Sequence, residues 1–323
     1  MTFDAYVTEI IFDRAGRAWF ALGDGTIAGE GGERATAHDG GAVLAAAAHP
    51  SGEGVVSGGD DGRLVWTRGG EAKALAEIKG RWIDAVASSP TSGLIGFAAG
   101  REAHVRDAAD AKFERVFAHE KTVAHLSFDP KGRRLACATY GGAMLWYARI
   151  AEQKSVPLKW AGSHILCAFS PDGRFLMSSM QENQLHGWRL SDAKDLRMGG
   201  YPTKVKSLAF VAKGMLLATA GAPGAVVWPF SGADGPMGKE AAEIGFDESS
   251  LVTRVAGTPD RSILAAGVDD GRVWACDLTS RHLHPVKAEK GPPITALAMS
   301  AGGARLAWGD EEGGAGVAEL PAL

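Results

Sequence analysis

Short apolar runs, cut apart by glycine, proline and acidic residues, recur along the whole chain. Aligned on the first residue of one such run, the copies begin near Val7, Val43, Ile83, Val123, Ile165, Val205, Val252 and Ile294. The second copy shows the order. Val43–Ala48 is a run of small apolar residues suited to a crowded inner strand, and His49, Pro50, Ser51 and Gly52 then turn the chain. Gly54–Gly58 is a second run, Asp60, Asp61 and Gly62 a second turn, and Arg63–Trp66 a third run. Runs this short, rich in β-branched residues and bounded by turn formers, predict strands, and Asp-Gly between two of them is a hairpin signal. A weaker fourth strand is expected between copies, as at Lys73–Ala76 and Leu283–Val286, where poor alternation suits a half-wet outer position.

A period of roughly forty residues with several strands in each copy is the spacing of a propeller blade. A single blade cannot bury both its faces, so the copies must stack around an axis. The sequence therefore predicts an all-β fold, a β-propeller of eight four-stranded blades forming one domain over 1–323. Seven blades is the alternative, if one terminal copy packs as a cap. Closure of the ring is open in one respect: Pro321, Ala322 and Leu323 are too few for a last outer strand. Either Thr2–Tyr6 makes a short clasp, or Gly316–Leu320 presents an unpaired edge, through which a homodimer would form.

The first turn recurs as Asp129–Gly132, Ser170–Gly173 and Thr258–Asp260, and third strands end in Trp66, Trp146, Trp188 and Trp228. This pattern resembles the WD40 repeat family, from about Val7 to Leu320. Ser170–Gly173, and Ser57–Gly62 followed by Trp66, carry the resemblance most closely. No third strand ends in the family's Trp-Asp pair: Trp66 precedes Thr67, Trp146 precedes Tyr147, Trp188 precedes Arg189 and Trp228 precedes Pro229. The resemblance implies a structural hydrogen-bonded set of His38, Ser57, Asp60 and Trp66 in the second copy. In the fourth copy it implies His119, Thr139 and Trp146, without a turn acid.

The bulk numbers narrow the function. The chain has 323 residues, 46% apolar, with 44 glycines and a formal charge of −4. That balance argues against a nucleic-acid partner, which needs a basic footprint. No apolar stretch is long enough to cross a bilayer, and residues 1–7 lack the features of a secretory leader. Cys137, Cys167 and Cys276 lie in apolar runs with no paired-cysteine motif, so they read as buried thiols in a cytoplasmic protein.

No catalytic constellation stands out. His282 and His284 share one strand face, a geometry zinc tolerates, but no third ligand is near in sequence. His125 and His164, in or beside inner strands, read as satisfied structural histidines. The glycine-rich stretches lack the following helix that a phosphate cradle requires. The paired acids Asp60–Asp61, Asp269–Asp270 and Glu311–Glu312 recur at one turn, which suits turn chemistry better than catalysis. No cofactor is expected.

Resemblance to the family implies that residues just before each inner strand ring one mouth of the channel, where partners dock. In copies three to six those positions hold Arg81, Trp82, Lys121, Trp160, His164, Tyr201 and Lys204. Arg, Trp and Tyr are enriched at interface hot spots, and aromatics beside cations suit an acidic peptide. Copies one, seven and eight offer Asp39, Glu248, Pro292 and Pro293 instead. The expected function is a non-catalytic protein-interaction scaffold that binds a protein or acidic peptide on this rim. The alternative is a propeller hydrolase or lactonase with a metal in the central channel. The insertion at 229–250 reads as a loop followed by a short outer strand around Ala242–Phe246.

Overall fold

A computed structural model describes residues 1–321; Ala322 and Leu323, part of the tail judged too short for an outer strand, lie outside them. Among the described residues every regular element is a strand apart from one short 3-10 turn at Ala212–Gly214. The first blade is an antiparallel meander of Val7–Phe12, Ala18–Leu22, Thr26–Gly29 and Arg34–Thr36. The second repeats it with Val43–Ala48, Val55–Gly59, Arg63–Arg68 and Glu71–Glu77. In both, the second strand is buried along its whole length, whereas Glu71–Glu77 is largely exposed. The outer strand is polar because only one side of it meets protein.

The protein is an all-β propeller of four-stranded blades. Among the described residues its strands form seven hydrogen-bonded sheets, the alternative number and not the eight separate sheets expected. No terminal repeat acts as a cap. Instead, repeats four and five share one six-stranded sheet, running from Val123–Phe128 to Lys194–Met198. Val156–Phe169 spans both repeats, whereas Arg134–Tyr147 belongs to repeat four and folds back on itself as a hairpin, the Ala148 amide donating to the Arg133 carbonyl at 2.9 Å. Tyr140 pairs with Ser163 across the junction, and Gly142 with Lys159. The expected turn at Tyr140–Gly142 is present at the tip of that hairpin, with Gly141 at φ +91°, and it joins the ladder because Tyr140 also pairs with Ser163. Gly142 has φ +135°, and a Cβ there would lie 2.0 Å from the Leu158 carbonyl oxygen, so only glycine fits.

Apolar packing between repeats holds the ring. Consecutive repeats share a buried cluster at each step, among the described residues. Between repeats three and four, Leu94, Val105 and Phe117 meet Val123, Leu126 and Leu135. Between eight and one, Ala296 and Ala307 meet Phe3, Val7, Ile10 and Phe20. Small residues dominate the inner strands because successive inner strands crowd towards the axis. Threonines latch them: Thr253 Oγ1 donates to the Ile294 carbonyl and Thr295 Oγ1 to the Val7 carbonyl, each at 2.7 Å.

The last sheet has three strands, Ile294–Met299, Arg305–Asp310 and Ala315–Glu319. Residues 1–3 clasp its outer edge. Thr2 bridges Gly314, the Ala315 amide donates to the Met1 carbonyl at 3.0 Å, and the Phe3 amide donates to the Gly313 carbonyl at 2.9 Å. Arg305 completes the seam through Glu30, with Nη2 to Oε2 at 2.6 Å. Both sequence alternatives for closure are thus present: a clasp, shorter than Thr2–Tyr6, over the start of the strand, and an edge beyond it.

Candidate functional site

His38 in the second blade is fully buried. Its Nδ1 donates to Asp61 Oδ1 at 2.9 Å, and its Nε2 lies 2.9 Å from Ser57 Oγ. Burial pushes the imidazole down, against the pull of Asp61. Burial would raise Asp61, but the Arg63 amide, His38 and the Arg63 guanidinium together hold it below its ordinary value. Two members of the expected set are corrected. Asp60 does not reach His38; its Oδ1 accepts the Ala42 amide at 2.8 Å. Adjacent residues of one tight turn point apart, so only one of the two carboxylates can face inward.

Trp66 is the second correction. Ser57 lies opposite Val65 in the ladder, so the next residue, Trp66, falls on the other sheet face. There it stacks on His49 at 4.1 Å and donates Nε1 to the Glu53 carbonyl at 2.9 Å. Other blades build the set differently. In the fourth, Trp146 Nε1 donates to His119 Nε2 at 3.0 Å. In the sixth, Thr219 lies opposite Val226, two residues before Trp228, so hydroxyl and indole share a face.

The rim residues divide in two. His164 has no exposure and lies between Ser178 Oγ at 2.7 Å and the Trp160 carbonyl at 3.1 Å. Tyr201 is 7% exposed, with Oη 2.6 Å from Thr219 Oγ1 and accepting Trp228 Nε1 at 2.6 Å. Both are corrected from partner-binding to structural positions, because each reaches down to the hydroxyl of its blade's second strand. Trp160 is partly buried, stacked on His186 at 4.1 Å with Arg197 over its ring at 4.7 Å.

Arg81, Trp82, Lys121 and Lys204 are exposed, and Trp82 leads with 63%. Arg81, Trp82, Arg101 and Lys121 border a shallow concavity of about 690 Å³ between the third and fourth blades, with Asp84 and Glu120 also on its wall. Arg81 Nη1 donates to the Ala99 carbonyl at 3.3 Å. Among the described residues, none of Arg81, Arg101 or Lys121 is in an ion pair.

A second, deeper cavity of about 580 Å³ opens at the same mouth and includes Lys204, Lys206 and Arg254. Lys206 and Arg254 were missed by the sequence reading because they fall just after the expected starts at Val205 and Val252, whereas the rim positions were sought before those starts. Their signal was a positive charge at the second or third position of a run, where no other copy carries lysine or arginine and copies one and three carry the acids Glu9 and Asp84.

Cys137 and Cys167 are buried free thiols, the second pushed up to about 12 by burial. His282 and His284 sit ring to ring at 4.5 Å. Among the described residues no group of three or more His, Cys, Asp or Glu is placed to hold a metal ion, and no helix is long and apolar enough to cross a membrane.

Comparison with known proteins identifies one repeat and the fold. The family model described as WD domain, G-beta repeat, matches residues 32–66, which holds His38, Ser57 and Asp61. No curated protein matches the chain. Among solved structures, the crystal structure of the computationally designed Ika8 protein is similar with a TM-score of 0.79 and 19% identity, over 99% of this chain and 98% of that one. At that identity the likeness concerns the fold alone. Propellers with this repeat are commonly protein-interaction scaffolds and typically lack enzymatic activity. With one matched WD40 repeat at residues 32–66 and four-stranded blades stacked in a ring, the chain is a β-propeller that carries a WD40 repeat.

Proposed function

We propose that this propeller is a non-catalytic scaffold holding an acidic segment of a partner protein against the rim formed by Arg81, Trp82 and Lys121. The observation that carries this reading is Trp82, a large indole left 63% exposed beside Arg81 and Lys121, which form no ion pair among the described residues. An exposed aromatic next to unpaired guanidinium and ammonium groups offers apolar area and charge together, the combination an acidic peptide with apolar residues would use. Lys204 lies further around the same mouth and would extend the contact.

Binding of a fluorescent peptide alternating Asp or Glu with Leu tests the reading. The double variant Arg81→Glu/Lys121→Glu should abolish binding without shifting the melting temperature, and added salt should weaken binding to the parent protein. Unchanged affinity in the double variant would remove the rim from consideration. A second surface, for a homodimer, is the edge of Ala315–Glu319 beyond the clasp, where strand backbone has one paired side. A mass that stays monomeric at every concentration would dispose of it. The buried, unpaired cysteines suit a reducing cytoplasmic setting.

A further inference from the structure

The cavity at the channel mouth carries charge that the fold leaves unanswered. Arg254, on the inner strand Val252–Gly257, is only partly exposed. Its guanidinium has five N–H donors, yet makes one hydrogen bond, from Nη1 to the Thr253 carbonyl at 3.0 Å. Among the described residues it forms no ion pair, and neither does Lys204 or Lys206 on the neighbouring blade. Three cations thus line one concavity of a protein whose formal charge is −4.

Acids are present but do not cancel them. Asp269 and Glu311 line the same cavity, and Asp269 Oδ1 already accepts the Leu251 amide at 2.8 Å. Glu9, on the first inner strand, acts on Arg254 from outside ion-pair distance, and desolvation by the surrounding protein raises its carboxyl above the ordinary value despite Arg254. The wall hydroxyls are committed as well, since Thr253 and Thr295 donate to backbone carbonyls of the next inner strand. What remains for a ligand is positive charge, a guanidinium fork with free donors, and apolar wall from Val252, Ile294 and Pro202. Low-dielectric walls concentrate such a field. A planar carboxylate on a short apolar stem matches it.

We propose that this cavity is a carboxylate-binding subsite, in which Arg254, Lys206 and Lys204 receive either an acidic side chain of the bound peptide or a small organic dicarboxylate. The peptide case rests on the rim reading; the dicarboxylate case does not.

Calorimetric titration of the full chain at low ionic strength tests it with two probes, glutarate and the blocked peptide acetyl-Gly-Glu-Gly-amide. Saturable, salt-sensitive binding of either probe is expected, weakened about tenfold or more by Arg254→Gln or Lys206→Gln, which is about 1.4 kcal/mol. Lys206 is exposed, so its variant keeps the test decisive if Arg254→Gln fails to fold. Arg81→Glu/Lys121→Glu should leave glutarate binding intact, which separates failure of the rim from failure of the cavity. The proposal is overturned by no saturable heat with either probe, by binding of inorganic phosphate alone, or by equal affinity in the parent and both cavity variants.

Discussion

Trp228 donates its indole N–H to Tyr201 Oη at 2.6 Å, and the same phenol meets Thr219 Oγ1 at 2.6 Å. A tyrosine here does the work that His38 does in the second blade, joining the segment before an inner strand to the second strand. Burial drives the phenol up to about 12, with Thr219 and Trp228 opposing. It therefore stays protonated at any working pH, with one hydrogen to give and lone pairs to receive.

Tyr201→Phe should cost about 1–3 kcal/mol, because the indole N–H of Trp228 loses its partner in a mostly dry site. Urea unfolding of parent and variant measures this. A loss within error would mean that water replaces the hydroxyl without penalty.

Asp61→Ala should destabilise more than Asp60→Ala. Asp61 takes hydrogen bonds from His38, the Arg63 amide and the Arg63 side chain, whereas Asp60 takes one from the Ala42 amide. The expected gap is about 1–2 kcal/mol, the worth of a buried charge-assisted bond. Thermal melts of the two variants decide it, and an inverted order would restore Asp60 to the inward position.

Stability should fall as pH drops from about 6.5 towards about 4, before most carboxylates titrate. Burial holds His125, His49 and His186 at about 4 in the fold, with Arg68 adding to the effect at His49. The unfolded chain binds these protons first, so their contribution is complete above the unfolded value and is lost below it. His125 Nδ1 accepts the Cys167 amide at 3.3 Å, a bond that protonation breaks. With water in the channel allowed for, His125 should account for about 1–2 kcal/mol. Melting temperatures of the parent and His125→Gln between pH 7.5 and 4.5, roughly the histidine range, should converge at the acid end.

Phe3→Ala should loosen the ring seam. Phe3 is buried in the cluster between the last and first blades, 5.3 Å from the Phe20 ring. The cost should be about 3–5 kcal/mol, as for other buried phenylalanines. Hydrogen exchange should speed up at the Ala315 amide first, since that amide is held by the clasp. Protection unchanged at Ala315 would mean the clasp survives without its anchor.

The blade grammar was legible because alternation and turn residues are local signals. Val7, Val43, Val123, Val252 and Ile294 each begin a strand where expected, while the third and sixth inner strands begin later, at Ala85 and Leu208. Details that depend on register were not legible. Trp66 and Trp228 follow their strand hydroxyls at the same separation, yet a shift of one pairing step sends one indole outward and the other inward. Likewise, the positions before the inner strands were identified, but not which side chains dive. His164 and Tyr201 turn into the blade while Trp82 turns to water, a choice set by whether a hydroxyl waits below. Lys206 and Arg254 escaped notice because a charge at or just before the start of an inner strand's ladder has meaning only once the channel is known.

The junction of Tyr140 with Ser163 means that the ring is not assembled from interchangeable cassettes. Elsewhere, apart from the Met1–Phe3 clasp, a boundary between repeats is crossed by packed side chains and isolated hydrogen bonds, such as those from the Ile83 amide to the Gly59 carbonyl and the Val123 amide to the Gly100 carbonyl, and recombination could swap, duplicate or delete a unit there without cutting a ladder. Residues 123–198 have no such seam inside them. Any lineage or designer wishing to change the size of this molecule must therefore move that stretch as a pair or leave it whole.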